Sequence, residues 1–171
     1  MGLYFKRIQT PVGEISIYAN NRALIGLSLG KHNKKTLSRR LKCVREKDND
    51  VLLMAQEQLK TYFVGSLKIF TVPVEISGTD FQKAVWRVLR GIGYGELRTY
   101  ADVAESIGNR KACRAVGRAI GSNPVPIIIP CHRVIGSNAT LTGFGGGLST
   151  KQYLLEIEGH RIKNLKIDES R

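Results

Sequence analysis

Residues 124 to 134 restrict the fold more than any other stretch of the chain. An apolar run from Val125 to Ile129 is bracketed by Pro124 and Pro130, whose rings stiffen both ends. The run reads as a short buried strand. The polar tripeptide Cys131-His132-Arg133 follows directly. This pattern holds a thiol at the end of a rigid apolar element, with a base and a cation beside it. Free cysteine is usually a small core residue, which is the reading for Cys43 and Cys113. Cys131 differs, because the thiolate is the nucleophile and adjacent imidazole or cationic groups favour ionisation. Successive residues of an extended chain face opposite ways. His132 is therefore expected to reach the sulfur through a water, and Arg133 to organise structure or contact phosphate.

The segment upstream reads as two short helices joined by a tight turn. Thr99 caps a helix from Tyr100 to Ile107, Gly108 ends it, and Asn109-Arg110 turns the chain. A second helix from Lys111 to Ile120 stops at Gly121. Such a pair is a helix-turn-helix candidate. Arg110, Arg114 and Arg118 recur at a spacing of four and form one basic stripe. Ala112, Ala115, Gly117 and Ala119 are small, so this helix can approach a groove closely while arginines reach phosphates or bases. A solvated face beside a small-residue packing face explains the same pattern equally well.

The first half of the chain has a different texture. Residues 4 to 29 read as a small antiparallel sheet, with Ile15 and Ile17 on one face and turns at Thr10 to Gly13 and Asn20-Asn21. Residues 31 to 50 carry eight Lys/Arg against three Asp/Glu and read as a surface helix or loop. Val51, Met54, Ala55, Leu59, Tyr62 and Phe63 lie at helical spacing. Ile69 to Ile76 reads as extended around Pro73. Ser77-Gly78 reads as a linker, and Thr79 with Gln82 fits a capping box for a helix whose apolar face is Phe81, Val85, Val88 and Leu89. Trp86 reads as structural. The expected class is α/β of the segregated α+β kind, with domains 1–76 and 77–171. The second is mainly helical and winged-helix-like.

The net charge of +13 favours polyanions, nucleic acid among them. No apolar run approaches the roughly 20 residues of a membrane helix, and three cysteines without a secretion signal do not suggest a disulfide framework. A cytoplasmic protein is expected, nuclear if eukaryotic. His32 and Cys43 lack partners at metal-ligand spacing, so no metal is expected.

Several ordered motifs together resemble the O6-alkylguanine-DNA alkyltransferases. They are Phe81-Gln82, Val85-Trp86, Tyr94-Gly95-Glu96, Thr99-Tyr100, Arg114-Ala115-Val116-Gly117, Asn123-Pro124 and Ile129-Pro130-Cys131-His132-Arg133-Val134-Ile135. Gly146-Gly147-Leu148 and the run Leu154 to Arg161 continue the series. The resemblance covers residues 79 to 161, and its Pro-Cys-His-Arg-Val centre is highly specific. Residues 1 to 76 are compatible with the family's variable first domain.

The resemblance implies that Cys131 accepts an alkyl group from O6-alkylguanine in double-stranded DNA, O4-alkylthymine being a second candidate substrate. It implies one turnover, no cofactor and a monomer. It places His132 between the thiol and a buried Glu158, Tyr100 as donor to the flipped base, and Arg114 in the gap that the base leaves. Asn123 becomes the hinge after the recognition helix. Thr99, Arg110, Arg114, Ala115, Gly117 and Arg118 are the expected DNA contacts. Val134, Gly143, Phe144 and Gly145 join Tyr100 around the alkyl group, with the Gly145 amide toward the base oxygen. Phe144 stands where relatives often carry tyrosine, and Arg118 and Gly121 also depart from the family pattern. Three other readings compete. A non-transferring lesion-recognition protein of the same fold would have the cysteine replaced, commonly by tryptophan. A helix-turn-helix regulator would need a dimer element, which the sequence lacks. A Cys-His hydrolase would leave the arginine stripe unexplained.

Overall fold

The computed structural model describes residues 2–30 and 44–168. His32, Cys43 and most of the basic segment lie outside those residues. The chain divides into two compact units, Met1–Ile76 and Ser77–Arg171.

Among the described residues, the first unit is a four-stranded sheet covered by one helix. Strands β1 (Leu3–Thr10), β2 (Gly13–Ala19), β3 (Leu24–Leu29) and β4 (Val44–Glu46) lie in the order β3-β2-β1-β4. β1 and β2 form a hairpin that pairs Ile8 with Ile15 and Thr10 with Gly13. The Asn20 side chain accepts the N–H groups of Arg22 and Ala23, closing the next turn. The sheet is mixed rather than antiparallel, because β4 runs parallel to β1. Parallel neighbours need a long crossover, and β4 is only three residues, Val44-Arg45-Glu46, with two exposed positions, so no alternation marks it. Helix α1 (Asp50–Phe63) starts on the Asn49 side chain, which accepts the Leu52 N–H at 2.9 Å. Its buried face is Val51, Leu52, Ala55, Leu59, Tyr62 and Phe63. Leu52 is buried where Met54 was expected, and Met54 is exposed. Residues 69 to 76 form no strand. They meet β3 at one bridge, Leu24 with Val74.

The second unit is built from helices α2 (Asp80–Arg90), α3 (Tyr100–Ser106), α4 (Cys113–Gly121) and α5 (Leu148–Ile157). Short strands β5 (Arg98–Thr99) and β6 (Val134–Ile135) pair in parallel, and β7 (Ile162–Lys163) and β8 (Lys166–Ile167) form a hairpin. Thr79 and Gln82 close the expected capping box at the start of α2. The buried residues of α2 are Val85, Trp86 and Leu89, and Phe81 is exposed. Trp86 is buried beside Val85 and Leu89, and its indole N–H reaches the Ala119 carbonyl of α4 at 2.8 Å. This bond fastens α2 to the second helix of the helix-turn-helix, and buried indoles need such a partner.

Replacing Trp86 with Phe removes that donor, while the Ser122 hydroxyl still donates to the Ala119 carbonyl at 2.9 Å. The expected cost is about 0.5–1.5 kcal/mol of unfolding free energy, measured as a lower urea midpoint with an unchanged slope.

Candidate active site

The parallel pairing of β5 with β6 sets the site's layout. It aligns Arg98 with Val134 and Thr99 with Ile135. The chain entering α3 is thereby placed beside the chain leaving the cysteine turn. Thr99 and Asp102 exchange a capping box, with the Thr99 N–H donating at 2.7 Å and the Asp102 N–H at 3.1 Å. This bond pair fixes the first turn of α3 and with it Tyr100.

Asn123 follows α4 and is buried. Its amide donates to the Ile129 carbonyl at 2.8 Å, and its oxygen accepts the Val125 N–H at 3.0 Å. These bonds fold residues 123 to 129 into a closed loop, in which the Ile129 N–H reaches the Val125 carbonyl at 2.9 Å. The expected strand from Val125 to Ile129 is therefore a turn. Ile127 sits at φ +74°, in the left-handed region that β-branched residues avoid. This strain is held by the surrounding bonds and by full burial of the side chain.

Cys131 opens a 3₁₀ turn, Cys131–Arg133, and is 6% exposed. Burial pushes its thiol above the ordinary cysteine range, while the Asn123 side chain, the Lys151 charge and the Ile127 backbone favour the thiolate. His132 is fully buried, with Nε2 2.9 Å from Glu158 Oε1. Burial lowers its affinity for a proton and Arg133 and Lys151 lower it further, against the pull of Glu158, so the imidazole rests neutral. Arg133 is buried too. Its Nε and Nη2 form a fork on Glu158, both at 2.9 Å, and Nη1 reaches the Ile92 carbonyl at 2.5 Å. Glu158 also accepts the Gly95 N–H at 3.2 Å. Burial alone would raise its pKa, but the bonds and charges of His132 and Arg133 outweigh that and hold it well below the carboxylate range. The expected organising role for Arg133 holds, and its position rules out phosphate contact.

Sequence reasoning missed Lys151. The residue is fully buried in α5, and its ammonium donates to the Val134 carbonyl and, at 2.8 Å, to that of Thr142. Burial lowers its pKa to about 8, while the nearby Cys131 pulls the other way. No sequence signal marked it, since a lone lysine in a polar helical stretch reads as surface.

The remaining expected residues divide into two groups. Tyr100 lies beside Gly117, and its hydroxyl is 3.3 Å from that of Thr142. Phe144 presents an edge to the His132 ring, with centroids 6.5 Å apart. Val134 is fully buried, while Gly143 and Gly145 are exposed. On the outer face, Arg114 and Arg118 project from α4 and are exposed. Arg110 lies outside α4, in the 3₁₀ turn Arg110–Ala112, where Glu105 pairs with it at 2.9 Å. The stripe therefore does not run as one helical row.

Comparison with known proteins identifies this arrangement. Residues 80–160 match the family model described as 6-O-methylguanine DNA methyltransferase, DNA binding domain. Residues 3–76 match the one described as 6-O-methylguanine DNA methyltransferase, ribonuclease-like domain. The chain belongs to the 6-O-methylguanine DNA methyltransferase family. Among similar members, the methylated-DNA–protein-cysteine methyltransferase of Methanosarcina acetivorans is 42% identical, over 92% of this chain and 99% of that protein. The methyltransferase of the same name from Haemophilus influenzae is 41% identical, over 91% and 86%. The structure of Mycobacterium tuberculosis OGT in complex with DNA superimposes with a TM-score of 0.82 at 40% identity, covering 91% of this chain and 92% of that one. The mixed sheet followed by a helical unit is thus the family's fold. No helix among the described residues is long and apolar enough to cross a membrane.

The buried Glu158 gives this methyltransferase fold an acid-sensitive joint. Its ionised form contributes fully above the ordinary glutamate value of 4.5, and the contribution is lost as pH falls below it. Glu158→Gln is expected to cost about 3–5 kcal/mol near neutral pH. The gap between wild type and variant should narrow steadily in urea melts below pH 4.5.

Proposed function

We infer that this protein repairs DNA by moving a methyl group from O6-methylguanine onto its own Cys131. The observation that carries the reading is the buried Cys131 thiol, held by Asn123 on a turn whose next two residues grip Glu158. An ordinary structural cysteine needs none of this.

In the proposed step the Cys131 sulfur bonds to the methyl carbon as the carbon–O6 bond breaks. The thiol proton passes to neutral His132, through a water as the family resemblance implies, and Glu158 stabilises the imidazolium. The base leaves with negative charge, which the Tyr100 hydroxyl and the Gly145 amide offset, and the proton returns to it. Lys151 supplies fixed positive charge beside the forming thiolate. Burial keeps the resting thiol protonated, which guards it until a lesion docks. The thioether product is not reversed by thiol exchange. Each molecule therefore acts once, and Cys131 itself takes the place of a cofactor. Val134 and the 143–145 loop border the alkyl group, and the same chemistry extends to larger O6-alkyl groups that fit there.

The DNA complex of the Mycobacterium tuberculosis relative supports extending DNA binding to this chain. Small Ala115 and Gly117 let α4 approach the minor groove, where sequence readout is weak. Arg114 fills the vacated stack after base flipping, which costs a few kcal/mol. Arg118 and Thr99 contact the backbone. The exposed Glu105–Arg110 pair is worth at most about 1 kcal/mol, so a phosphate can replace the carboxylate. All these groups lie in residues 77–171, which we assign as the DNA-binding and acceptor domain. We assign 1–76 as a separate domain and the working form as a monomer. A free thiol of this kind requires a reducing compartment, the cytoplasm or a nucleus.

Intact-protein mass spectrometry after mixing with a duplex containing one O6-methylguanine tests the reading. Wild type should gain one CH2 per chain on Cys131, and Cys131→Ser none. Tight lesion binding without mass gain would instead indicate a recognition protein. Arg118→Ala should weaken duplex binding similarly for all sequences and lower the slope of log affinity against log salt by about 1.

A further inference from the structure

The loop Ile92-Gly93-Tyr94-Gly95, between α2 and β5, takes no part in the chemistry above, yet it meets the buried ion pair on several sides. The Ile92 carbonyl accepts Arg133 Nη1, and the Gly95 N–H donates to Glu158 Oε2. The ring of Tyr94 lies against the Arg133 guanidinium, 5.9 Å from centroid to Cζ. The Tyr94 hydroxyl donates to the Ile157 carbonyl at 2.5 Å. Ile157 is the last residue of α5, and Glu158 is its cap. Gly95 has φ +75°, and a Cβ there would stand 3.2 Å from the Glu158 carbonyl. Only glycine allows the loop to lie this close without strain.

We propose that Tyr94 is a positioning residue for methyl transfer, fixing the Glu158 carboxylate through Arg133 on one side and through the α5 terminus on the other. The proposal rests on the Cys131–His132–Glu158 reading and extends it outward by one layer. A glutamate carboxylate can rotate about its own torsions, and a helix end frays unless its last carbonyls are satisfied. Tyr94 restrains both motions with one side chain. Its ring packs on the guanidinium that forks onto the carboxylate, and its hydroxyl ties down the backbone from which that carboxylate extends. His132 Nε2 sees the carboxylate only in that orientation. Phenylalanine at position 94 keeps the ring and deletes the backbone tether. Leucine deletes both restraints.

The test is single-turnover transfer from an O6-methylguanine duplex at saturating protein, followed across the neutral pH range for wild type, Tyr94→Phe and Tyr94→Leu. Duplex affinity and melting temperature are measured alongside. Tyr94→Phe should slow the saturating rate roughly tenfold, since small misplacements of reacting groups are costly. Tyr94→Leu should slow it further, with duplex affinity unchanged in both. With the pH series carried into the acid range, the midpoint of the rate–pH curve should move to lower pH, because a loosened Glu158 supports the imidazolium less well and the proton-accepting His132 stays neutral further down. A Phe variant with wild-type rate and midpoint overturns the proposal. So does a rate loss that merely follows the melting temperature while the midpoint stays fixed. If wild type transfers nothing, the underlying reading fails first, and that result is distinct from either.

Discussion

A carboxylate removed from water must be met by charge and by donors, or it will not stay ionised. Glu158 is such a group, and much of the second unit's arrangement answers to it. Arg133 supplies the opposite charge through a two-bond fork, His132 a further donor, and Gly95 a backbone amide. Because Arg133 already balances the anion, His132 has no need to be charged. The imidazole is left neutral in a fixed orientation, which is the state a proton acceptor must rest in. Loops far apart in sequence are recruited to the same pair. The 92–95 loop, the cysteine turn and the end of α5 converge on one buried anion.

The second constraint is local. Asn123 bonds to Val125 and Ile129 and bends the apolar run into a loop. It also favours the thiolate of Cys131. One side chain thus shapes the segment and tunes the sulfur. Burial opposes ionisation of that sulfur, so the site keeps the thiol guarded while holding nearby the groups that favour its anion. Lys151 completes this balance from α5 by capping two carbonyls beneath the cysteine turn.

Much of this was legible in residue order. The capping boxes at Thr79 and Thr99 involve side chains three residues from the backbone groups they satisfy, so local sequence specifies them. Gly108 adopts φ +75° where the helix ends, as its lack of a side chain allows. Other features were hidden for physical reasons. An apolar run between prolines satisfies the rule for a buried strand, and only the Asn123 bonds across it select a turn. Arg110 fits the spacing of α4, but the chain there is 3₁₀ and Glu105 engages the side chain. Strand β4 has no apolar alternation, since its place is set by pairing with β1.

Sequence alone determined which atoms could react. A cysteine between proline and histidine, followed by arginine, within ordered motifs matching one family, marks the proposed nucleophile, and local residue order marks the helices before it. These properties depend on covalent neighbours and short-range bonds. Tertiary structure decided the state in which those atoms rest. Whether a thiol is buried, an imidazole neutral, a lysine capping carbonyls or a glutamate ionised depends on desolvation and on charges brought together from distant segments. Those terms arise only when the chain has closed around them.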